Sequence, residues 1–162
     1  MNCYAGAVGT SKQLKAVRGY DVWLEVGLAN LKCHRALNSL LATLDLTLAQ
    51  HEVLVAIKRF SGLTQKELSQ RLFVVKSNIS ALIKKLEARG LVERTPDAKD
   101  SRNKRLRLTR LGDTLVQKSF ELQNRVVEAM TAVLTDADLA RTHIVMRHVS
   151  DALDKLEADK DS

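Results

Sequence analysis

The sequence has few of the residues that mark several protein classes. Its 162 residues contain one proline, two cysteines and 4% aromatic residues. Two cysteines cannot build a disulfide framework, and no segment approaches the roughly 18–20 apolar residues that a membrane span needs. Residues 1–12 lack the basic and apolar parts of a secretory signal. These absences argue against collagen-like, disulfide-stapled and membrane proteins, and they predict a cytoplasmic location.

Positive charge is concentrated in one part of the chain. Apolar residues make up 45% of the sequence and the formal net charge is +7, so one packed, basic domain is expected. Residues 58–110 hold 15 Lys and Arg but only 5 Asp and Glu, whereas the rest of the chain is slightly acidic. A basic region of this kind predicts a polyanionic partner, either nucleic acid or an anionic membrane surface. The alternative is a solvated basic face.

The order of predicted elements indicates the fold. Apolar side chains recur with helical spacing before and after the single proline, and Thr47 and Thr64 each begin a capping box. Residues 91–95 and 105–109 instead alternate with period two, which predicts two strands of a hairpin with a charged tip. A third box at Thr135 begins the last helix. The predicted fold is mainly α with a small β-hairpin wing, a winged helix-turn-helix flanked by long helices.

The helix before the hairpin, predicted at 76–89, is the candidate DNA-reading element. Its apolar seam is formed by Ile79, Leu82, Ile83 and Leu86. At about 100° per residue, small polar and basic residues occupy the other faces. Hydroxyl and amide groups can bond to bases, and lysines can neutralise phosphates. The predicted contact residues are Lys76, Ser77, Asn78, Ser80, Ala81, Lys84 and Lys85. An ordinary amphipathic surface helix is the alternative interpretation.

Several short motifs resemble one family when they are taken in order. They are Leu68-Ser-Gln-Arg-Leu72, Val75-Lys-Ser-Asn-Ile-Ser80, Leu86-Glu-Ala-Arg-Gly-Leu-Val-Glu-Arg94, Asp97-Ala-Lys-Asp-Ser-Arg102 and Leu108-Thr-Arg-Leu-Gly112. In this order and spacing they resemble the MarR family of bacterial transcriptional regulators. The resemblance implies a homodimer that binds double-stranded DNA at a pseudo-palindromic operator, usually as a repressor. It also implies release by a small ligand, often an aromatic anion, with Trp23 and Phe60 as candidates for the pocket.

The predicted wing follows the family pattern Asp-x-Arg-Asp-x-Arg, with Lys99 in place of the first Arg. The resemblance implies that Asp97 or Asp100 pairs with Arg102 and so fixes the shape of the wing. The wing residues expected near DNA are Lys99, Arg102, Asn103 and Lys104. Many members carry Arg where Ala81 stands. Because alanine cannot form forked bonds with guanine, the relatives' base preference does not transfer.

Dimerisation is also indicated by the apolar pattern. Leu24 and Leu28 lie outside the main stripe of the first helix, and the last helices carry more apolar surface than a small winged domain can cover. The alternative is a larger monomeric core. The predicted segments are an N-terminal extension (1–20), a first dimerisation helix (21–46), the winged helix-turn-helix (47–110), C-terminal dimerisation helices (111–158) and an acidic tail (159–162).

Other functions find less support in the sequence. Glycine-rich phosphate loops, nucleophile elbows and paired carboxylates are missing, so no enzyme activity and no cofactor are predicted. Cys33 has basic neighbours but is interpreted as a small buried apolar residue rather than a redox sensor. His143 and His148 are five residues apart, which does not place two metal ligands on one helix face, so no metal is predicted. The alternatives kept open are a protein-interaction module and a redox- or metal-responsive regulator.

Overall fold

A computed structural model describes residues 17–72, 79–97 and 104–159, and within these ranges the predicted fold class is confirmed. The chain divides into two compact units, of which the first ends at Ser119 and the second begins at Phe120. The helices and strands are α1 (Tyr20–Leu41), a short 3-10 helix (Ala42–Leu44), α2 (Leu48–Arg59), α3 (Gln65–Arg71), α4 (Ile79–Ala88), β1 (Val92–Pro96), β2 (Lys104–Leu108), α5 (Arg110–Thr131) and α6 (Asp136–Ala158).

Three helices begin with the predicted capping boxes. Thr47, Thr64 and Thr135 each accept a hydrogen bond from the backbone N–H three residues later, and the side chain at that position accepts one from the threonine N–H. Each pair satisfies two donors that a helix start leaves without partners. The α-helical part of the first helix ends at Leu41, the 3-10 helix continues it to Leu44, and Asp45 then turns the chain with a left-handed φ of 53°.

The core of the first unit is built by all its helices and by the hairpin. The α4 seam is as predicted for Ile79, Ile83 and Leu86, which are buried, while Leu82 is half-buried. Removal of these apolar groups from water is the main force that holds the helices together. The largest fully buried apolar side chains are Leu41, Val53, Leu54, Ile57, Leu68, Ile79, Ile83, Leu86, Leu106 and Val116.

The hairpin is antiparallel and is attached to the helices at its base. Its register pairs Val92 with Leu108 and Pro96 with Lys104, one residue away from the predicted strand limits. The backbone N–H of Leu106 donates to the carbonyl of Leu63 at 2.8 Å. This hydrogen bond therefore joins the hairpin to the segment that leads into α3.

The junction between β2 and α5 depends on a glycine. A Cβ atom at Gly112 would lie 2.0 Å from the carbonyl oxygen of Leu91, which is far inside contact distance. Thr109 donates its hydroxyl to the carbonyl of Gly90 at 2.6 Å and accepts from the N–H of Gly112 at 3.0 Å. Gly90 follows the end of α4 with φ 67°, a left-handed conformation that glycine adopts readily.

His51 is a buried packing residue of the first unit. Its Nδ1 lies 3.0 Å from the hydroxyl of Ser119, and that hydroxyl donates to the carbonyl of Val116 at 2.8 Å. Because the single serine proton is already used, Nδ1 of His51 is the donor in this pair. The bond links α2 to α5.

The second unit buries little of its apolar surface. Val126 is its one buried residue within 120–159, and α6 has no buried residue. The start of α1 in the first unit is similarly exposed, with Trp23 at 61%. The large exposed apolar side chains of α5, the following turn and α6 beyond Ser119 are Val127, Met130, Val133, Leu134, Ile144, Val145, Met146, Val149, Leu153 and Leu156.

Within the described ranges, no single helix combines the length and apolar composition needed to cross a membrane. The helical segments 20–44 and 48–59 have the necessary length and apolar composition only as a pair, and the chain bends by 81° between them.

Candidate nucleic-acid interface

The exposed face of α4 presents four of the predicted DNA-contact residues. Ser80, Ala81, Lys84 and Lys85 are all exposed, because the buried seam of α4 directs the opposite face outward. Of the predicted wing residues, Lys104 is exposed at the start of β2. The other predicted residues lie outside the described ranges: Lys76, Ser77, Asn78, Lys99, Asp100, Arg102 and Asn103.

The two lysines of α4 carry charges that are free to meet a ligand. Across the part of the chain that the structure describes, no carboxylate lies within ion-pair distance of Lys84 or Lys85. By contrast, Arg94 on β1 is paired with Glu87, its Nε lying 2.8 Å from the carboxylate. The lysine charges can therefore act on phosphates without first breaking a protein ion pair.

A cationic cleft separates the start of α3 from the hairpin. It is open and has a volume of about 650 Å³. We call it the wing cleft. Its lining residues are Thr64, Gln65, Lys66, Glu67, Gln70, Arg94, Lys104 and Arg105. Four of the eight are cations. Arg94 and Arg105 are held in ion pairs, so Lys66 and Lys104 carry the charge that a negatively charged backbone could meet there.

Arg105 joins the hairpin to α3. Its guanidinium pairs with the carboxylate of Asp97, donates to the carbonyl of Gly62 at 2.7 Å and lies 3.7 Å from the carboxylate of Glu67. Asp97, only 8% exposed, thus has an ionic partner that the sequence did not predict. The expected partner, Arg102, lies outside the described residues. The pairing with Arg105 depends on hairpin register, which the spacing of charges does not determine.

Glu67 has an altered acidity in this network. The N–H of Thr64 donates to its carboxylate at 2.7 Å and the Thr64 hydroxyl at 2.9 Å. The backbone bond, then the hydroxyl bond, and to a smaller extent the charges of Arg105 and Arg71, lower the pKa of Glu67. Glu67 therefore stays ionised near neutral pH, where its carboxylate accepts the hydrogen bonds of the capping box and pairs with Arg105.

Gln65 contacts the exposed face of α4, which the sequence did not reveal. It is the first residue of α3, and its Nε2 donates a hydrogen bond to the hydroxyl of Ser80 on α4. The two residues are fifteen positions apart. No local pattern in the sequence indicates that they meet, because the pairing depends on the packing of α3 against α4.

A second cavity, of about 710 Å³, lies between α1, α2 and α3. Phe60, a predicted pocket residue, lines it, whereas Trp23 does not. The guanidinium carbons of Arg71 and Arg59 lie 4.3 and 5.4 Å from the Phe60 ring centre. We call it the Phe60 cavity. Its lining is His34, Leu48, Ala49, Glu52, Val55, Ala56, Arg59, Phe60, Arg71 and Leu72.

Charge in the Phe60 cavity is mixed. Burial raises the pKa of Glu52, and the positive charge of His34 opposes part of that effect. No carboxylate among the described residues lies within ion-pair distance of Arg59 or Arg71. The arginines therefore remain available to an anionic group beside an aromatic ring.

Comparison with known proteins identifies the family. The MarR family profile matches residues 44–103. An uncharacterised HTH-type transcriptional regulator of Bacillus cereus is 30% identical over 105 residues, which are 65% of this chain and 69% of the relative. The chain belongs to the MarR family of transcriptional regulators.

One further relative of this MarR-family regulator carries functional information, through its sequence and through a solved structure. The multiple antibiotic resistance protein MarR of Escherichia coli K12 is 29% identical over 125 residues, or 76% of this chain and 87% of that protein. A crystal structure of a MarR variant from E. coli in complex with operator DNA superimposes with a TM-score of 0.71 at 26% identity. The superposition covers 83% of this chain and 99% of that chain.

Proposed function

We propose that this MarR-family regulator binds a pseudo-palindromic operator in double-stranded DNA as a homodimer and represses transcription. The observation that carries the proposal is the exposed face of α4, whose unpaired lysines lie in the same unit as the cationic wing cleft. The complex of E. coli MarR with operator DNA supports the same use of this fold.

In this proposal α4 enters the major groove, which is about 12 Å wide and admits a helix. Ser80 and Ala81 face base edges, while Lys84 and Lys85 neutralise phosphates. Lys104 approaches the DNA backbone from the hairpin. Arg105 ties the hairpin to α3, so that wing and reading helix dock together. Residues outside the described ranges also belong to the proposed surface: Lys76, Ser77, Asn78, Lys99, Arg102 and Asn103.

The homodimer is supported by the exposed apolar residues of the second unit and of α1. Exposed apolar patches on this scale mark association surfaces. Ile144, Val149 and Leu153 on α6 are each between 44% and 56% exposed. Two-fold symmetry in the protein would be matched by two operator half-sites.

The proposal is tested by fluorescence anisotropy with a duplex from upstream of the protein's own gene and a scrambled duplex, at three salt concentrations. We expect tighter binding to the upstream duplex and a steep dependence on salt. Lys84→Ala should weaken binding to both duplexes and reduce the salt slope by about one. Lys155→Ala, which removes the same charge from α6, is the control and should bind like the wild type. Absence of binding at low salt would favour a protein-interaction module instead.

We further propose that a small apolar molecule with an anionic group regulates DNA binding from the Phe60 cavity. The aromatic ring and the unpaired arginines beside it support this ligand class. Benzoate is a suitable probe. Calorimetry should detect benzoate binding to the wild type and a loss of it in Arg71→Gln, while that variant keeps its affinity for DNA. Equal benzoate binding by both proteins would contradict this part of the proposal.

A further inference from the structure

We infer that Gln65 determines base specificity by acting through Ser80, an inference that rests on the proposed binding of DNA by α4. Gln65 is half-buried at the first position of α3, and Ser80 is exposed in the first turn of α4. A direct hydrogen bond runs from the Gln65 Nε2 to the Ser80 hydroxyl. Gln65 is thus a positioning residue for a side chain on the proposed reading face.

The direction of this bond sets what Ser80 can offer to a base. A serine hydroxyl has one proton and two lone pairs. The Gln65 amide occupies a lone pair, so the proton of Ser80 remains available to an external acceptor. In the major groove the acceptors are N7 and O6 of guanine, N7 of adenine and O4 of thymine. Ser80 is therefore expected to favour a base that presents an acceptor.

Without Gln65, Ser80 would lose this preference. A serine hydroxyl without such a partner rotates freely about its Cβ–Oγ bond. It can then serve as donor or as acceptor, and bases with either group become acceptable. Loss of Gln65 should therefore change which base is preferred. The general affinity for phosphates should not change, because it depends on the lysines.

The position of Gln65 is fixed from two sides. Thr64 and Glu67 form the capping box around it, and Arg105 holds the carbonyl of Gly62 and the carboxylate of Glu67. The amide therefore needs little further ordering to reach Ser80, which is what a preorganised site requires. Gln65 also lines the wing cleft, so DNA that spans α4 and the wing would pass beside it.

The test is binding-site selection from a randomised duplex library with the full-length protein, followed by anisotropy on the selected duplex and a scrambled one. The variants are Gln65→Ala and Ser80→Ala. Gln70→Ala is the matched control, because Gln70 lines the same cleft and lies on the same helix but has no hydrogen bond to α4 in the described structure. We expect Gln65→Ala and Ser80→Ala to relax the selected motif at the same base positions.

For those two variants, the ratio of affinities for selected and scrambled duplexes should fall about 5- to 10-fold. Binding to the scrambled duplex and the salt slope should stay unchanged, which a folding defect would not allow. Gln65→Glu can only accept a bond from Ser80, so it should shift the preference toward bases that present a donor, such as cytosine N4. Its added charge should also weaken binding to every duplex.

Two results would overturn the inference. One is a motif unchanged in Gln65→Ala, or altered at positions that Ser80→Ala leaves intact. The other is an equal effect of Gln70→Ala, which would point to the cleft as a whole. If the wild type selects no motif at all, the proposed function itself fails, and the inference fails with it.

Discussion

The first and second units bury their apolar side chains to very different extents. In the first unit Leu41, Leu54 and Ile83 are completely inaccessible, and the helices and hairpin enclose a common core. In the second unit Val126 is the one buried residue within 120–159, although apolar residues recur along α6. Most helical stability in proteins comes from packing of an apolar face, and the proposed homodimer would supply that packing for α6.

The two units differ in the interactions that can stabilise them. The first unit has a buried core, helices that begin with capping boxes and a hairpin held by Arg105. In the second unit α6 also begins with a capping box, but most of the large apolar side chains there are exposed. Substitutions in the two units should therefore respond differently to protein concentration.

The largest effect should come from breaking the association surface. Leu153→Glu places a charge among the exposed apolar residues of α6, where Leu153 itself is 56% exposed. If a second copy covers this surface, dissociation should become easier by on the order of a hundredfold or more, since burying an unpaired charge costs several kcal/mol. Sedimentation equilibrium would show the change in mass.

Lys155→Glu is the control for this variant, because it adds negative charge about 200° around the same helix. It should leave the mass unchanged. A Leu153→Glu protein with the wild-type mass would contradict the assignment of α6 to the dimer.

Truncation of the first unit's core should be almost as damaging but independent of concentration. Leu54 is completely buried, and Leu54→Ala should lower the free energy of unfolding by about 2–5 kcal/mol. Leu156→Ala removes the same atoms from a side chain that is 58% exposed. Its melting temperature should differ from that of the wild type mainly at low protein concentration. If both variants responded to concentration in the same way, the two units would not be energetically distinct.

A smaller effect is expected from the junction glycine. Gly112→Ala drives a methyl group into the carbonyl of Leu91, so unfolding should become easier by about 1–3 kcal/mol. Gly27→Ala is the comparison, since Gly27 lies in α1 with nothing within 4 Å of an added Cβ. That variant should be as stable as the wild type or slightly more so, by up to about 1 kcal/mol, because alanine favours helix. Thermal denaturation of both variants checks the contrast.

The smallest effect is the acid response of the two capping boxes, one in each unit. Hydrogen bonds from Thr64 and Thr135 lower the pKa of Glu67 and of Asp138. Because these folded pKa values are depressed, the stabilisation is fully present above the unfolded pKa and is lost as pH falls through the folded pKa. Glu67→Gln and Asp138→Asn should thus be less stable than the wild type at neutral pH and approach it in acid. A stability difference that does not change between neutral and acidic pH would contradict this account.

Much of the fold could be predicted because its signals are local. The capping boxes at Thr47, Thr64 and Thr135 satisfy helix starts through residues three positions apart, and the change of period at Leu91 marks the hairpin. The exposed side chains Ser80, Lys84 and Lys85 followed from helix geometry alone. The change from α to 3-10 geometry after Leu41 was not predicted, because the apolar spacing continues through Leu44.

The side-chain contacts of the candidate site could not be predicted from the sequence. The ionic partner of Asp97 and the bond between Gln65 and Ser80 join residues that are close only after the hairpin register and the packing of α3 on α4 are set. The Phe60 cavity contains one of the two predicted aromatic residues, because Trp23 lies on the exposed start of α1 and is paired there with Tyr20.

Periodicity, composition and neighbours along the chain are enough to predict the helical segments, their caps, the hairpin, the basic region and the outer face of α4. Contacts between residues that are far apart in the sequence depend on the tertiary structure. Arg105 reaches Asp97, Gly62 and Glu67 together, and a methyl group at Gly112 would meet Leu91. The reason is physical: hydrogen bonds and steric contacts act over a few ångströms, and only the packed chain brings such residues within that distance.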